Sequence, residues 1–252
     1  MISSVFRTCL TAGVLLGGAL TTQAQVTIGP RIGLNASTLN FDIEDDSPDT
    51  KSIYGPQVGL TLNAQFGHFS LQPSLLFSQK GARFEEKIDA SYTDEDFGYT
   101  VAVKGEEKVD IRLNYLEIPV NLVYNTSGEE GGFQVFAGPY VGIGLNGQYK
   151  AKGSIMTTVN GQVDESSSGS SEETEDIKFV GKGTDGNEPE FRRIDFGINA
   201  GLGYKAGPFQ AQLGYGLGLG NLIPKYDDDD DAKEKIRNRG VQLSVAYFFG
   251  GK

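Results

Sequence analysis

Glu117 and Asp195 are carboxylates set inside apolar, alternating stretches, and Arg31, Arg112 and Arg193 lie in stretches of the same kind. Two carboxylates sharing a desolvated site can work as an acid–base pair, because burial and mutual repulsion drive one pKa upward; interleaved with arginines they more commonly form structural ion pairs. The structural role is the expectation here. His68 is the only imidazole and follows Gly67 in a short turn. A hydrolytic His works beside a Ser or Asp, activating a nucleophile or water. A lone His in a turn, away from the rim where substrate would arrive, reads as a turn residue. The acidic runs at 42–49 and 227–231 offer oxygen ligands for hard cations. Neither has the Asp-x-Asp-x-Asp-Gly spacing of a dedicated calcium loop, so both read first as solvated surface, with Asp227, Asp228, Asp229, Asp230 and Asp231 as a weak cation-binding loop. Gly-x-Gly runs at 201–203 and 214–220 lie in alternating sequence with no helix after them, unlike a dinucleotide cradle. The expectation is a chain with no catalytic residue, no cofactor and no dedicated metal site, hence no enzyme.

The elements that carry these residues alternate with a period of two, the signal of half-buried strands. In the last segment Val241, Leu243, Val245, Tyr247 and Phe249 share one face, and Gln242, Ser244 and Ala246 the other. The stretches 209–219, 194–204, 133–145, 69–77, 58–66 and 26–34 behave alike, and with 109–124 they give eight strands. The second face decides what kind of sheet this is. It holds Gly, Gln, Asn, Ser and Thr with few charges, where a water-soluble barrel would display Lys, Glu and Asp. Glycine on that face lets strands curve around a narrow interior and leaves room for polar side chains from opposite walls. The bulky face then looks outward into lipid, so the expected fold is all-β: an eight-stranded antiparallel up-and-down transmembrane β-barrel.

Connections of roughly 15, 2, 25, 7, 40, 2 and 18 residues alternate long with short, the asymmetry of short periplasmic turns and long extracellular loops. Charge partitions in the same way. Acidic residues number five in 42–50, eight in 84–108, nine in 151–190 and six in 221–239, out of 33. The Ser-rich stretch at 166–176 is low-complexity and reads as a mobile loop. In 110–124, Ile111 and Leu113 fall on one parity and Leu116, Ile118, Val120 and Leu122 on the other. A β-bulge near Asn114 or Tyr115 would return the apolar residues to the outer face and turn Glu117 and Asn121 inward. An interior polar cluster of Arg31, Arg112, Glu117, Asn121, Arg193 and Asp195 is therefore expected to fill the lumen, leaving no open pore.

Residues 1–24 carry one charge, Arg7, an apolar run too short to span a bilayer, and Thr22-Gln23-Ala24 ahead of Gln25. This is the layout of a cleaved secretory signal peptide, leaving 25–252 as the barrel domain. Cys9, the only cysteine, would leave with it, so the mature chain would hold no thiol. With 33 acidic and 22 basic residues the net charge is −11, which disfavours nucleic acid and anionic surfaces. No apolar run reaches helical spanning length, yet 35 of 252 residues are Gly, which a small barrel interior explains.

The run Asn114-Tyr115-Leu116-Glu117-Ile118-Pro119 with 121–124, the start Gly29-Pro30-Arg31-Ile32-Gly33-Leu34-Asn35, and the late run 215–222 resemble the PorT-like porin family of outer-membrane barrels from Bacteroidetes. The resemblance extends over the whole mature chain and implies a location in the outer membrane, with some members linked to secretion or gliding. The expected role is structural or interactive (envelope integrity, surface contact or assistance to secretion), with a small passive transport channel as the alternative. Expected partners are outer-membrane lipid and lipopolysaccharide, and a protein met through the extracellular loops; no nucleic acid is expected, and the chain is expected to be a monomer.

Overall fold

The computed structural model of the protein describes residues 25–42, 49–96, 98–183, 189–225 and 234–250. The expected signal peptide at 1–24, residues 43–48 of the first acidic run and the whole of 227–231 lie outside them.

Eleven strands account for most of the described chain: β1 (Gln25–Asp42), β2 (Lys51–Phe66), β3 (Phe69–Asp94), β4 (Tyr99–Asn125), β5 (Gly131–Val159), β6 (Gln162–Val163), β7 (Gly169–Val180), β8 (Glu190–Arg192), β9 (Ile194–Ala206), β10 (Phe209–Gly218) and β11 (Lys235–Tyr247). Each of β1 to β5 pairs antiparallel with the next, β5 then pairs with β9, β9 with β10, β10 with β11, and β11 returns to β1. Eight strands thus close a ring and leave no barrel edge. Closure is what allows a sheet to sit in lipid, since an unpaired edge would expose backbone N–H and C=O groups that hydrocarbon cannot satisfy.

The expected two faces are present and inverted relative to a water-soluble protein. In β10, Gln210, Gln212, Gly214, Gly216 and Gly218 are buried, and Phe209, Ala211, Leu213, Tyr215 and Leu217 are exposed. The other wall strands repeat the pattern. At the short-turn end the outward face finishes in aromatic side chains. Phe69 meets Tyr124, Phe133 meets Tyr204, and Tyr247 meets both Phe209 and Phe249, all edge-on with ring centroids 5.0–5.3 Å apart. Aromatic rings gathered on one rim, with the amphipathic Tyr124, Tyr204 and Tyr247 among them, mark a membrane–water boundary. The two tightest turns there need a left-handed residue, supplied by Gly67 (φ 59°) and Gly207 (φ 55°).

Three expectations change. The stretches 84–108 and 151–190 are largely strand rather than loop: β3 and β4 run in unbroken register from Phe69↔Tyr124 to Asp94↔Tyr99, and β5 continues to Val159 against β4. About 9–11 residues suffice to cross the membrane, so this hairpin rises far beyond it. Hydrophobic alternation could not reveal the extension, because both of its faces meet water. From Gly169 onward the Ser-rich stretch is β7, ordered by backbone pairing to β5 from Gly147↔Ile177 to Ile155↔Gly169. Finally, the register does shift at Asn114/Tyr115, but the extra residue is Leu145 of β5, since Asn114 faces Asn146 and Tyr115 faces Gly144. Alternation in β4 continues unbroken through Ile111, Leu113, Tyr115, Glu117, Pro119 and Asn121, all buried. Ile111 and Leu113 therefore stay inside, where they join an apolar cap.

Candidate functional site

The lumen is built in three layers. Nearest the short turns it is filled by side-chain amides. Gln134 Nε2 donates to Asn125 Oδ1 (2.5 Å), Gln210 Nε2 to Gln134 Oε1 (2.7 Å), Gln72 Nε2 to Asn63 Oδ1 (2.9 Å) and Asn125 Nδ2 to Ser70 Oγ (3.1 Å). Amides suit this position because each both donates and accepts, so a chain of them can satisfy itself out of reach of water. Glycine makes the space. A Cβ on Gly201 or Gly214 would stand 2.7 Å or 2.9 Å from Cζ of the inward Phe136. Arg31 belongs to this layer, donating through Nη2 to Gln212 Oε1 (2.5 Å).

The middle layer holds the buried charges. Lys80 is ion-paired with Glu117 and lies with Nζ 4.0 Å from Asp195 Oδ2. Asp195 Oδ2 also accepts from Asn238 Nδ2 (3.0 Å) and from the Tyr140 hydroxyl (3.2 Å). The Lys80 ammonium stands 4.3 Å from the Tyr140 ring centroid, in cation–π range. Glu117 and Asp195 are fully inaccessible and Lys80 is 5% exposed.

Of the six residues expected in one cluster, the structure brings Glu117 and Asp195 to the same lysine. Asn121 is buried in the same wall strand, and Arg31 sits with the glutamines rather than with Glu117. Two corrections follow. Arg112 is on the outward parity of β4, reaching Gln79 Oε1 at 3.4 Å, and Arg193 is exposed, donating through Nη2 to the Phe179 carbonyl (3.0 Å). Parity is the reason for the first. For the second, the chain bends at Arg193 between β8 and β9, which takes its side chain out of the wall's alternation. Sequence parity already carries Lys80 inward with Ser70, Gln72, Ser74 and Ser78, three residues past the alternating stretch 69–77. His68 is a turn residue as expected, its Nδ1 2.9 Å from the Asn125 carbonyl and its ring stacked on Tyr124.

The third layer is apolar. Leu39, Ala82, Ile111, Leu113, Tyr115, Ile177, Phe179, Phe191 and Leu222 form one buried cluster. Phe179 and Phe191 face each other across the parallel pair β7–β8, which the long connection between β5 and β9 folds back over the mouth. Phe179 packs edge-on against Tyr115 at 5.4 Å and lies over Gly144, where any side chain would run into its ring. Within the wall, a cavity of about 10 Å³ lies beside Lys80 and Tyr140 and another of about 10 Å³ beside Arg31 and Asn121, each with room for about one water.

Above the mouth, β3, β4, β5 and β7 continue as a four-stranded sheet laced by ion pairs. Glu172 lies 2.6 Å from Lys150 Nζ and 2.8 Å from Lys152 Nζ. Hydrogen bonds from these two ammonium groups pull its carboxyl from 4.5 down to about 2. A carboxyl held low contributes above its unfolded pKa and loses that contribution as pH falls through the folded one. The β5–β7 pairing should therefore resist limited proteolysis from pH 7 to about pH 4 and loosen near pH 2, and Glu172→Gln should remove the acid-side loosening attributable to this residue.

Residues 22–224 match a family model described as outer membrane protein beta-barrel domain. No curated protein matches the chain. Among solved structures, the chain is similar to Ail, the attachment invasion locus protein of Yersinia pestis, solved in complex with the heparin analogue sucrose octasulfate (14% identity over 89% of this chain and 99% of that chain, TM-score 0.35). It is also similar to Neisserial surface protein A (11% identity, 89% and 98% covered, TM-score 0.35) and, more distantly, to the outer membrane channel DcaP of Acinetobacter baumannii (11% identity, 91% and 98% covered, TM-score 0.24).

Proposed function

The chain belongs to the outer membrane protein β-barrel domain family, and from that membership we propose that it is a non-enzymatic, non-conducting outer-membrane protein that acts through its extracellular surface. The observation that carries this reading is the filled lumen: an amide layer, a buried Lys80–Glu117–Asp195 centre and an apolar cap stacked from one rim to the other. A solute could pass only by displacing all three. What remains accessible is the outer sheet of β3, β4, β5 and β7, and the work of the protein is assigned there, as surface contact, envelope integrity or assistance to a secretion apparatus.

Finer identity follows the sequence. The Tyr115-Leu116-Glu117-Ile118-Pro119 run supports a PorT-like member from Bacteroidetes, and residues 1–24 support delivery by a cleaved signal peptide. Lipid and lipopolysaccharide surround the apolar belt, a protein partner meets the extracellular sheet, nucleic acid is disfavoured by the acidic charge, and the closed barrel stands as a monomer.

Planar-bilayer recording tests the reading. The purified protein is expected to give no stable single-channel steps. Reproducible steps, with ion selectivity altered in Glu117→Gln, would instead establish a small passive channel.

A further inference from the structure

The outer sheet has two faces of opposite electrostatic design. Strand register fixes which side chains share a face, because successive residues alternate. One row across the sheet is Glu85, Lys108, Lys152 and Glu172. Its two ends are acidic and its two middle residues basic, and the ion pairs of Glu85 with Lys108, Lys87 with Glu106, Lys104 with Asp89, and Glu172 with Lys150 and Lys152 lie on that face. That face is neutralised by its own residues.

The next row is Glu86, Glu107, Gly153 and Ser171. This second face continues the inner wall of the barrel upward and is concave. It carries Glu86, Glu107, Glu173 and Glu175, and no Lys or Arg shares the face from the Ala82 row to the Ile88 row. Glu86 and Glu107 stand directly opposite each other, an arrangement that destabilises a sheet standing alone. Ion pairing nearby gives no relief: every basic side chain on these strands at that height belongs to the other face.

The same face is hollowed into a groove of about 910 Å³, floored by Gly105 and Gly153 and flanked by the exposed Ile88 and Ile155. Packing within the sheet does not require glycine at every point of that floor. A Cβ on Gly105 would meet no atom closer than 3.6 Å, and one on Gly169 would meet none within 4 Å. Glycine inside a strand weakens it, and a common reason for its presence is the close approach of another backbone.

Resting on the reading that the extracellular sheet is the working surface, we propose that this concave face is a docking groove for an extended polypeptide segment bearing lysine or arginine at alternate positions. Its cations would pair with Glu86, Glu107 and Glu173, relieving the like-charge opposition, while its apolar side chains lie against Ile88 and Ile155 and its backbone approaches the glycine floor.

The test uses the full protein in detergent and a fluorescent peptide of alternating Lys and Val, compared with alternating Gln and Val, at physiological salt. The lysine peptide is expected to bind and the glutamine peptide to bind at least about tenfold more weakly. Glu86→Gln with Glu107→Gln should weaken the lysine peptide about tenfold, whereas Asp89→Asn with Glu106→Gln, the same charge change on the other face, should leave it within about twofold. Gly105→Val, which changes no charge and has room for its Cβ, should also weaken binding. Retention of the heat-modifiable folded band on gels shows that each variant keeps its barrel. Equal weakening by both charge pairs, equal binding of both peptides, or indifference to the Glu86 and Glu107 changes would overturn the proposal. Bilayer recording of the same preparation separates the two readings: currents together with peptide binding refute the closed barrel alone, and silence without binding refutes the groove alone.

Discussion

Replacing Lys80 by Met is expected to lower the unfolding free energy of the barrel by about 3–5 kcal/mol. The physical reason is what stays behind. Glu117 and Asp195 are fully inaccessible, and Lys80 is the cation they share. Taking the ammonium away leaves two carboxylates in a region from which water is almost excluded, a far larger penalty than the net worth of the ion pair when intact. Urea unfolding in lipid vesicles, followed by loss of the heat-modifiable band, measures the change. The triple variant Lys80→Met, Glu117→Gln, Asp195→Asn removes all three charges together and should recover most of the loss. A single variant within about 1 kcal/mol of the parent would show that the centre is hydrated and contributes little.

Leu213→Arg should cost about 2–4 kcal/mol in the same assay. Leu213 is exposed on the outer face of β10, paired with Leu202 of β9 and Leu243 of β11. It lies four residues from Phe209 on the aromatic rim, about 10 Å along the barrel axis once strand tilt is allowed for, which puts it close to the middle of a ~25 Å belt. In a water-soluble barrel an exposed Leu→Arg change would be close to neutral. The size of the effect therefore reports the solvent on that face. Arg at Phe209 should cost much less, because the penalty falls off toward the interface.

The two solvents explain why the wall could be read from the sequence and the outer sheet could not. Wherever lipid lies on one side and the lumen on the other, each strand must alternate apolar with small or polar residues, and all eight wall strands were located by that contrast. Above the belt the contrast vanishes. Lys87, Asp89, Lys104 and Glu106 look like loop residues, yet they form a cross-strand ladder, and only backbone pairing shows it. The same loss of contrast hides Lys80, which stands three residues past the alternating stretch 69–77, and it misdirects Arg112 and Arg193, whose residue type points to the lumen while parity and a bend take them elsewhere. Ile111 and Leu113 supplied the opposite error. Apolar character points them to lipid, but the interior above the charged centre is itself apolar.

Local pattern alone thus determined the wall: eight strands, closure, which face meets lipid, short turns at one end and acidic residues at the other, because alternation and turn chemistry act over a few residues and need no distant partner. Tertiary structure decided what fills and what crowns the barrel. Lys80, Glu117, Tyr140, Asp195 and Asn238 come from five different strands, Phe179 and Phe191 reach the mouth only through a fold-back of the chain, and the segregation of ion pairs from unpaired carboxylates depends on the register of four strands. A one-residue slip in any of them would exchange its faces, and no stretch of sequence read by itself records that register.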